Sequence, residues 1–366
     1  MSDLTLLING RKYSGWNSAR VTRGIERCPS DFEVTMTELF PGEMGGLTFM
    51  VVPGDPFQLY LGTLSPDNLV VTGYVDRVTP AIRARLHSIT IAGRGKCQDI
   101  VDCEAVWPNG QFMSHTVLDI ATKLSAPYGV TVSAASPADV GAPIFQVNVA
   151  FTETPWSVIE RLCRFRALLA YDQPDGNLML SRVGGHEHMT GLKTGQNVHS
   201  AAVTYSTDQR YSEYCAYLLA ANNHMDVGEI SPLQTVNDPT IKRFRRHNII
   251  AENGDGSQDG AGSVAKMRAQ WEASRRWGRS AQLRVTVDSW TDGTGVLWQP
   301  NWLVNLDLPE VAISGKKWLI SDVAYHMDEQ GTSADLLLMA PQAFDPSPIL
   351  MSTVPFDVAD AVAKGK

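Results

Sequence analysis

His186, Glu187 and His188 form the densest metal-like cluster in this 366-residue chain. On a strand alternate side chains point the same way, so the two imidazoles could share a cation, but no third ligand is signalled. Asp255, Ser257, Asp259 and Gly260 imitate the start of a calcium loop. Its twelfth position, which needs a bidentate Glu, is Lys266, so a flexible polar linker is the better reading. Gly93-Arg94-Gly95-Lys96 has the composition of a phosphate loop, yet the upstream glycine is missing and Cys97 stands where Ser or Thr is required. Glycoside hydrolysis needs two facing carboxylates, whereas Glu153 and Glu160 read as capping or helix-surface residues. These weighings assign no catalytic, cofactor-binding or metal-binding residue, and no cofactor or enzyme activity is expected.

Charge and aromatic clusters point the same way. Lys242, Arg243, Arg245 and Arg246, with Phe244 between them, could track a phosphate backbone. However, 31 Lys and Arg stand against 39 Asp and Glu, a net charge of -8, so a solvated strand face or an intersubunit salt-bridge surface fits better. Arg275, Arg276 and Arg279 complement the negative end of a helix. Trp290, Trp298, Trp302 and Trp318 could form a sugar platform, but they alternate with strand and turn residues and read as core or interface aromatics. The cysteines Cys28, Cys97, Cys103, Cys163 and Cys215 are odd in number and contain no Cys-x-x-Cys. Neither a disulfide framework nor a zinc site follows, and a reducing compartment fits. The N-terminus has no basic region and only a short apolar run broken by Asn9, so no export signal is expected.

The elements that carry these residues are short strands near both ends and helices between. Leu4 to Ile8 ends at an Asn9-Gly10 turn; Phe32 to Glu38 alternates with period two; Phe57 to Leu61, Leu69 to Val78 and Leu86 to Ala92 are further strands. Cys97, Ile100 and Val101 mark a short helix. Val117, Ile120, Ala121 and Leu124 mark another that stops before Pro127. Thr154 is placed as an N-cap before Pro155, with Trp156, Ile159, Leu162 and Cys163 on the buried stripe. A hairpin follows, Leu168 to Tyr171 and Leu178 to Arg182, turned at Asp175-Gly176. Strands return at Ala202 to Ser206, Tyr211 to Ala220, Ile241 to Ile250, Gln282 to Val287, Leu303 to Leu308, Trp318 to His326 and Ala334 to Met339. They are interrupted by a Gly-rich loop at 253–260 and a helix presenting Val264, Met267, Trp271 and Ser274. A pattern stated once near each end, Gly73-Tyr74-Val75-Asp76 and Ile320-Ser321-Asp322-Val323-Ala324-Tyr325, suggests two related β units. The fold class is mainly β with an α/β insert. Expected divisions are a β domain at 1–106, an inserted α/β module at 107–199, a second β domain at 200–344 holding the loop and helix at 251–279, and an extended arm at 345–366.

Ordered features along nearly the whole chain resemble the baseplate hub proteins of Mu-like contractile-tailed phages. They include Ser14-Gly15-Trp16 with Val21 to Glu26, Pro53-Gly54-Asp55, Leu69 to Asp76, and Ile91 to Asp102. Others are Glu153-Thr154-Pro155-Trp156 with Ile159-Glu160-Arg161-Leu162, Asp175-Gly176-Asn177-Leu178, Tyr211-Ser212-Glu213-Tyr214, and Trp298 to Val304 with Trp318-Leu319-Ile320. The tail from 345 carries no match. The resemblance implies two tail-tube-like β-barrel domains per chain and a homotrimer forming a pseudo-sixfold ring. That ring would join the tail tube, or a tube-initiator protein, to the central spike, touch baseplate wedge proteins, and pass DNA through its channel without specific binding. It also implies a place in the virion tail baseplate after assembly in the host cytoplasm. An acidic or neutral lumen would let DNA slide. The rival readings are a cell-wall hydrolase and a carbohydrate-binding tail component.

Overall fold

The computed structural model describes residues 4–37, 51–84, 86–108, 110–136, 140–166, 168–218, 234–251 and 258–344. The chain opens with β1 (Leu4–Ile8) and β2 (Arg11–Tyr13). Asn9 and Gly10 between them have φ of 51° and 76°, the positive values a two-residue hairpin turn of this hand demands. β3 (Ser18–Gly24), β4 (Asp31–Thr37), β5 (Pro56–Leu61), β6 (Leu69–Arg83) and β7 (Leu86–Gly95) complete the first β unit.

Next come α1 (Gln98–Asp102), β8 (Gln111–His115), α2 (Val117–Ser125), β9 (Val132–Ala134), β10 (Ile144–Asn148), α3 (Pro155–Arg166), β11 (Leu169–Asp172) and β12 (Leu178–Ser181). Thr116 and Asp119 close a capping box on α2, satisfying two orphan donors at once. Thr154 Oγ accepts from the Ser157 amide at 3.2 Å, capping α3 as its sequence predicts. Ile100, Phe112, Ile120, Leu124, Ile159 and Leu178 share a core of their own.

The rest of the chain supplies β13 (His186–Glu187), β14 (Leu192–Lys193), β15 (Val198–Tyr205), β16 (Glu213–Leu218), β17 (Gln234–Asn237), β18 (Arg246–Ala251) and α4 (Gln258–Arg279). It ends with β19 (Ala281–Val287), β20 (Trp302–Leu308), β21 (Ile313–Asp328) and β22 (Gly331–Met339). With strand near 48% and helix near 18%, the fold is mostly β.

Among the described residues the first and last β units form one 14-stranded sheet, ordered β15-β19-β22-β21-β3-β4-β7-β6-β5-β1-β2, with β20 also paired to β21 and β13 and β14 paired to β20. One hydrophobic core runs under both units, from Leu4, Phe32 and Val75 to Trp298, Trp318 and Leu336.

Several expectations need correcting. β3 was not anticipated from the sequence; its inward positions Ala19, Val21 and Arg23 are buried, and the arginine among them masks the apolar alternation. Tyr211 to Ala220 and Ile241 to Ile250 do not join the second β unit. Their described parts, β16 and β18, pair in parallel and make a separate three-stranded sheet with β17. α4 packs Ala265, Ala269 and Ala273 on Tyr214, Ala216 and Ile249; of the face expected from the sequence, Trp271 and Ser274 are buried as expected and Met267 is exposed. Small side chains spaced four apart let the helix lie close to that sheet. Within the 253–260 loop, Asp255 and Ser257 fall outside the described residues, as does the 345–366 arm, and Asp259 and Gly260 belong to α4.

Candidate assembly junction

The two patterned runs near the chain ends occupy matching hairpins. In β6–β7, Val75 faces Gly93, a bulge leaves Asp76 unpaired, and Arg77 faces Ala92. In β21–β22, Ile320 faces Leu338, a bulge leaves Ser321 unpaired, and Asp322 faces Leu337. From there both ladders run unbroken, to Arg83 facing Leu86 and to Asp328 facing Gly331. A bulge is a built feature that bends and twists a strand at a chosen place. Its recurrence at one position in two hairpins of equal reach marks an internal repeat.

Between the units lies an antiparallel junction: Asp322, Val323, Ala324, Tyr325, His326 and Met327 of β21 face Gly24, Arg23, Thr22, Val21, Arg20 and Ala19 of β3. The Ile25 amide extends it by donating to the Ser321 carbonyl at 2.9 Å. Tyr325 is buried at its centre and its hydroxyl donates to the Trp298 carbonyl. The buried Arg23 guanidinium donates to the Gln299 side-chain carbonyl at 2.7 Å. Gly24 has no room for a side chain, because a Cβ there would lie 2.2 Å from Asp322 Oδ1.

The residues that could do chemistry are mostly occupied in packing. The glycines of the Gly93-to-Lys96 run sit on β7 rather than in a loop; a Cβ on Gly93 would meet the Tyr74 carbonyl at 2.7 Å and one on Gly95 the Asp172 carboxylate at 2.7 Å. Arg94 between them bridges Asp76 and Asp102, both at 2.7 Å. Lys242 to Arg245 precede β18 in an irregular segment, so they are not a strand face. Arg245 donates to the Thr207 and Asp208 carbonyls, and Arg246 pairs with Glu213 at 2.8 Å. Arg275 and Arg279 reach Glu26, and Arg276 reaches Glu272, so these cations tie α4 to neighbouring groups rather than simply complementing its end. Trp290, Trp298 and Trp318 are buried, which removes them as a sugar platform. Glu153 pairs with Arg161 at 3.1 Å and Glu160 with Arg164.

Three family models match separate stretches: the Mu phage baseplate assembly protein GpP-like N-terminal domain at residues 3–95, the second domain of baseplate hub protein gp44-like at 97–182, and the GpP fourth domain at 261–347. Across 346 residues the chain is 31% identical to baseplate hub protein gp44 of Escherichia phage Mu, spanning 93% of this chain and 88% of that protein. The chain belongs to the Mu-like phage baseplate hub family.

Solved structures agree with that placement of this hub-family chain. The 43 kDa tail protein of prophage MuSo2 from Shewanella oneidensis is 28% identical, with a TM-score of 0.80 over 94% of this chain and 99% of that one. The Escherichia coli c3393 protein, a component of the type VI secretion system with structural similarity to the T4 tail proteins gp27 and gp5, shares the fold at 11% identity. Its TM-score is 0.57 over 96% of this chain and 80% of that one.

The hub fold also contains buried polar centres that sequence reasoning missed, because each partner is distant along the chain. Arg210 and Asp238 are 1% exposed and pair at 2.6 Å, with Thr240 bonded to both, fixing the entry to the three-stranded sheet. Asp172 accepts from the Ser30 amide and hydroxyl, both at 2.9 Å, and burial pushes its carboxyl up. Asn301 donates to Tyr171, Ser181 and Arg182 at 3.2, 3.1 and 3.0 Å. Asp172 and Asn301 clamp the 97–182 region onto the first and last β units respectively.

His188, part of the metal-like cluster, is one of these centres. Its Nδ1 donates to Asp292 at 3.1 Å and its Nε2 accepts the Gln299 amide at 3.2 Å, so both ring nitrogens of the neutral form have protein partners. The ring lies between Trp298 and Trp302 at 4.7 and 4.8 Å, while His186 is exposed beside Trp302. Burial depresses the His188 pKa, with Asp292 opposing the shift. For Asp292 burial raises the pKa, but hydrogen bonds from Thr294 and His188 outweigh it and hold the carboxyl below its usual range. A histidine whose folded pKa lies below the unfolded value near 6.5 gives stability that is complete above about pH 6.5 and is lost as pH falls toward the folded value. The melting temperature of the wild-type chain should therefore drop between about pH 7.5 and 5.5. His188→Gln should show a lower starting value and a flatter profile across that interval.

Proposed function

We propose that this chain is a structural, non-enzymatic baseplate hub of a contractile phage tail. Three copies form a pseudo-sixfold ring that joins the tail tube, or its initiator, to the central spike, contacts wedge proteins, and encloses the DNA channel. The single observation that carries this reading is the repeat itself: two β units with matching bulged hairpins already joined edge to edge inside one chain. A ring of six such units then needs only three chains, which is how a threefold spike can meet a sixfold tube. In this reading residues 1–106 and 200–344 are the two barrel-like tube domains, and 107–199 is an α/β module projecting from them. The 345–366 arm is available to spike or wedge subunits, and assembly takes place in the host cytoplasm before the hub enters the virion.

The net charge of -8 supports a channel through which DNA slides, since each lysine or arginine presented to the backbone would add affinity. The burial of Trp290, Trp298 and Trp318 and the ion pairing of Glu153 and Glu160 weigh against the carbohydrate-binding and hydrolase readings. Electron-microscope images of the purified oligomer test the proposal. Six lobes around an open centre are expected. A compact particle without a hole, or open strings of subunits, would contradict it.

A further inference from the structure

Where the chain leaves the last β unit it passes along the wall of a cleft of about 240 Å³. The apolar walls are Ile25 just after β3, Trp156 of α3, Leu168 and Leu169 at the start of β11, Trp271 of α4, and Phe344. The charged groups that line it are matched among themselves, Arg275 with Glu26 at 2.7 Å and Arg164 with Glu160. The cleft therefore selects neither an anion nor a cation. A dry cavity of roughly 150 Å³ holds a benzene ring, so this one has room for more than one aliphatic side chain.

One polar group in the walls stands apart. Trp271 is 8% exposed, and its buried indole N–H has no hydrogen-bond partner among the described residues. The ring is held in place by Arg268 and Arg275, whose guanidinium groups lie 4.5 and 5.1 Å from its centre. A buried donor without an acceptor is costly. An occupant that brings a carbonyl to this wall stabilises it twice, by filling apolar space and by accepting that hydrogen bond.

The start of the C-terminal arm is pinned beside the cleft. The turn Pro341–Ala343 lies so close to α4 that a Cβ on Gly278 would sit 2.2 Å from the Ala343 amide nitrogen. Phe344 packs with Ile25 and Leu169, and the Arg279 guanidinium lies 5.6 Å from its ring centre. The sequence then continues Asp345-Pro346-Ser347-Pro348-Ile349-Leu350-Met351. Pro346 and Pro348 carry carbonyls but no N–H, so they bring acceptors into an apolar site without donors that need partners. Aromatic-lined grooves take proline-rich segments for this reason among others. The first apolar run after the exit is Ile349-Leu350-Met351, and five extended residues reach up to roughly 17 Å, enough to run through a cleft whose wall includes Phe344.

We propose that residues 346–351 dock in this cleft of their own chain, with a carbonyl of the Pro346-Ser347-Pro348 segment accepting the Trp271 N–H and Ile349-Leu350-Met351 filling the apolar walls. The docked segment ties α3 of the inserted module to α4 and the last β unit, and leaves 352–366 for partner subunits. Tethering places the segment at an effective concentration in the millimolar range, so a modest contact suffices. The docking goes beyond the hub reading and does not rest on it.

Hydrogen–deuterium exchange of the full chain, read by mass spectrometry, tests the proposal. The amides of Ser347, Ile349, Leu350 and Met351 should exchange at least about tenfold more slowly than in a free peptide of the same sequence. Replacing Ile349, Leu350 and Met351 together by serine alters only the arm and should return it to the rate of its own free peptide. Two changes in the walls should speed exchange in the arm as well: Ala170→Leu, which fills the cleft from a buried wall position, and Trp271→Phe, which keeps an aromatic wall and removes the N–H. An arm that exchanges at the free-peptide rate in the wild-type chain overturns the proposal. So does an arm whose protection survives both wall changes, because it is then docked elsewhere. The chain that owns the arm is read by oxidising Ala170→Cys with Leu350→Cys in a Cys103→Ser background, since Cys103 is exposed. A disulfide inside one chain of 40.1 kDa is expected; disulfide-linked multimers would give the cleft to the arm of a second copy and overturn the proposal.

Discussion

An alanine at Tyr325 should lower the unfolding free energy by roughly 3–5 kcal/mol, the range for emptying a large aromatic site in a close-packed core. Tyr325 is 1% exposed, faces Val21 across the internal junction, and holds the Trp298 carbonyl with its hydroxyl. Truncation removes the ring that welds the two β units and leaves a buried acceptor without its donor. Urea unfolding followed by tryptophan fluorescence measures the loss, since Trp290 and Trp298 share this core. Tyr325→Phe separates the two contributions: it keeps the ring and gives up only the hydrogen bond, for a cost of about 1 kcal/mol. An alanine variant within about 1 kcal/mol of wild type would mean that the junction is not a structural centre of the fold.

Ile82→Asp should have the reverse profile, leaving the isolated chain almost unchanged while abolishing assembly. At 65% exposure the side chain contributes little within one chain, and surface changes of this kind are usually worth less than about 0.5 kcal/mol. In the proposed ring this half of β6, which matches the half of β21 that pairs with β3 inside the chain, meets a neighbouring copy. A carboxylate there would be desolvated without a partner, at a cost of at least about 3 kcal/mol. That corresponds to roughly a hundredfold weaker association per contact. Light scattering and thermal melts on the same sample read both halves of the expectation. A variant that keeps the wild-type mass would place the interface elsewhere.

Much of the local structure was legible in the residues because its causes are local. Asn9-Gly10 requires positive φ, Thr154-Pro155 caps and starts a helix, and the helical spacing of Val117, Ile120, Ala121 and Leu124 makes one apolar face; each appears where it was expected. The likeness between the two end patterns was also visible, and the shared bulge gives it a physical basis. What escaped were features that depend on distant partners. β3 was hidden because one of its three inward positions is Arg23, which is buried and donates to the distant Gln299 side chain at 2.7 Å. Lys242 to Arg245 looked like the start of a strand, yet the Arg210–Asp238 pair and the carbonyls held by Arg245 keep the backbone irregular there. The face of α4 was legible only in part: Trp271 and Ser274 are buried as expected, Met267 is exposed, and Ala265, Ala269 and Ala273, which make the contact with the sheet, carry too small an apolar signal to stand out. That the two β units merge into one sheet could not be inferred from period-two alternation, which fixes what a strand buries and not which strand it joins.

The central claim is that three copies close into a ring, and native mass spectrometry of the purified wild-type chain over a wide concentration range tests it most directly. A species of about 120 kDa, three times the 40.1 kDa chain, is expected to persist on dilution with no larger members. A monomer at high concentration, or masses that climb past three chains without stopping, would contradict it.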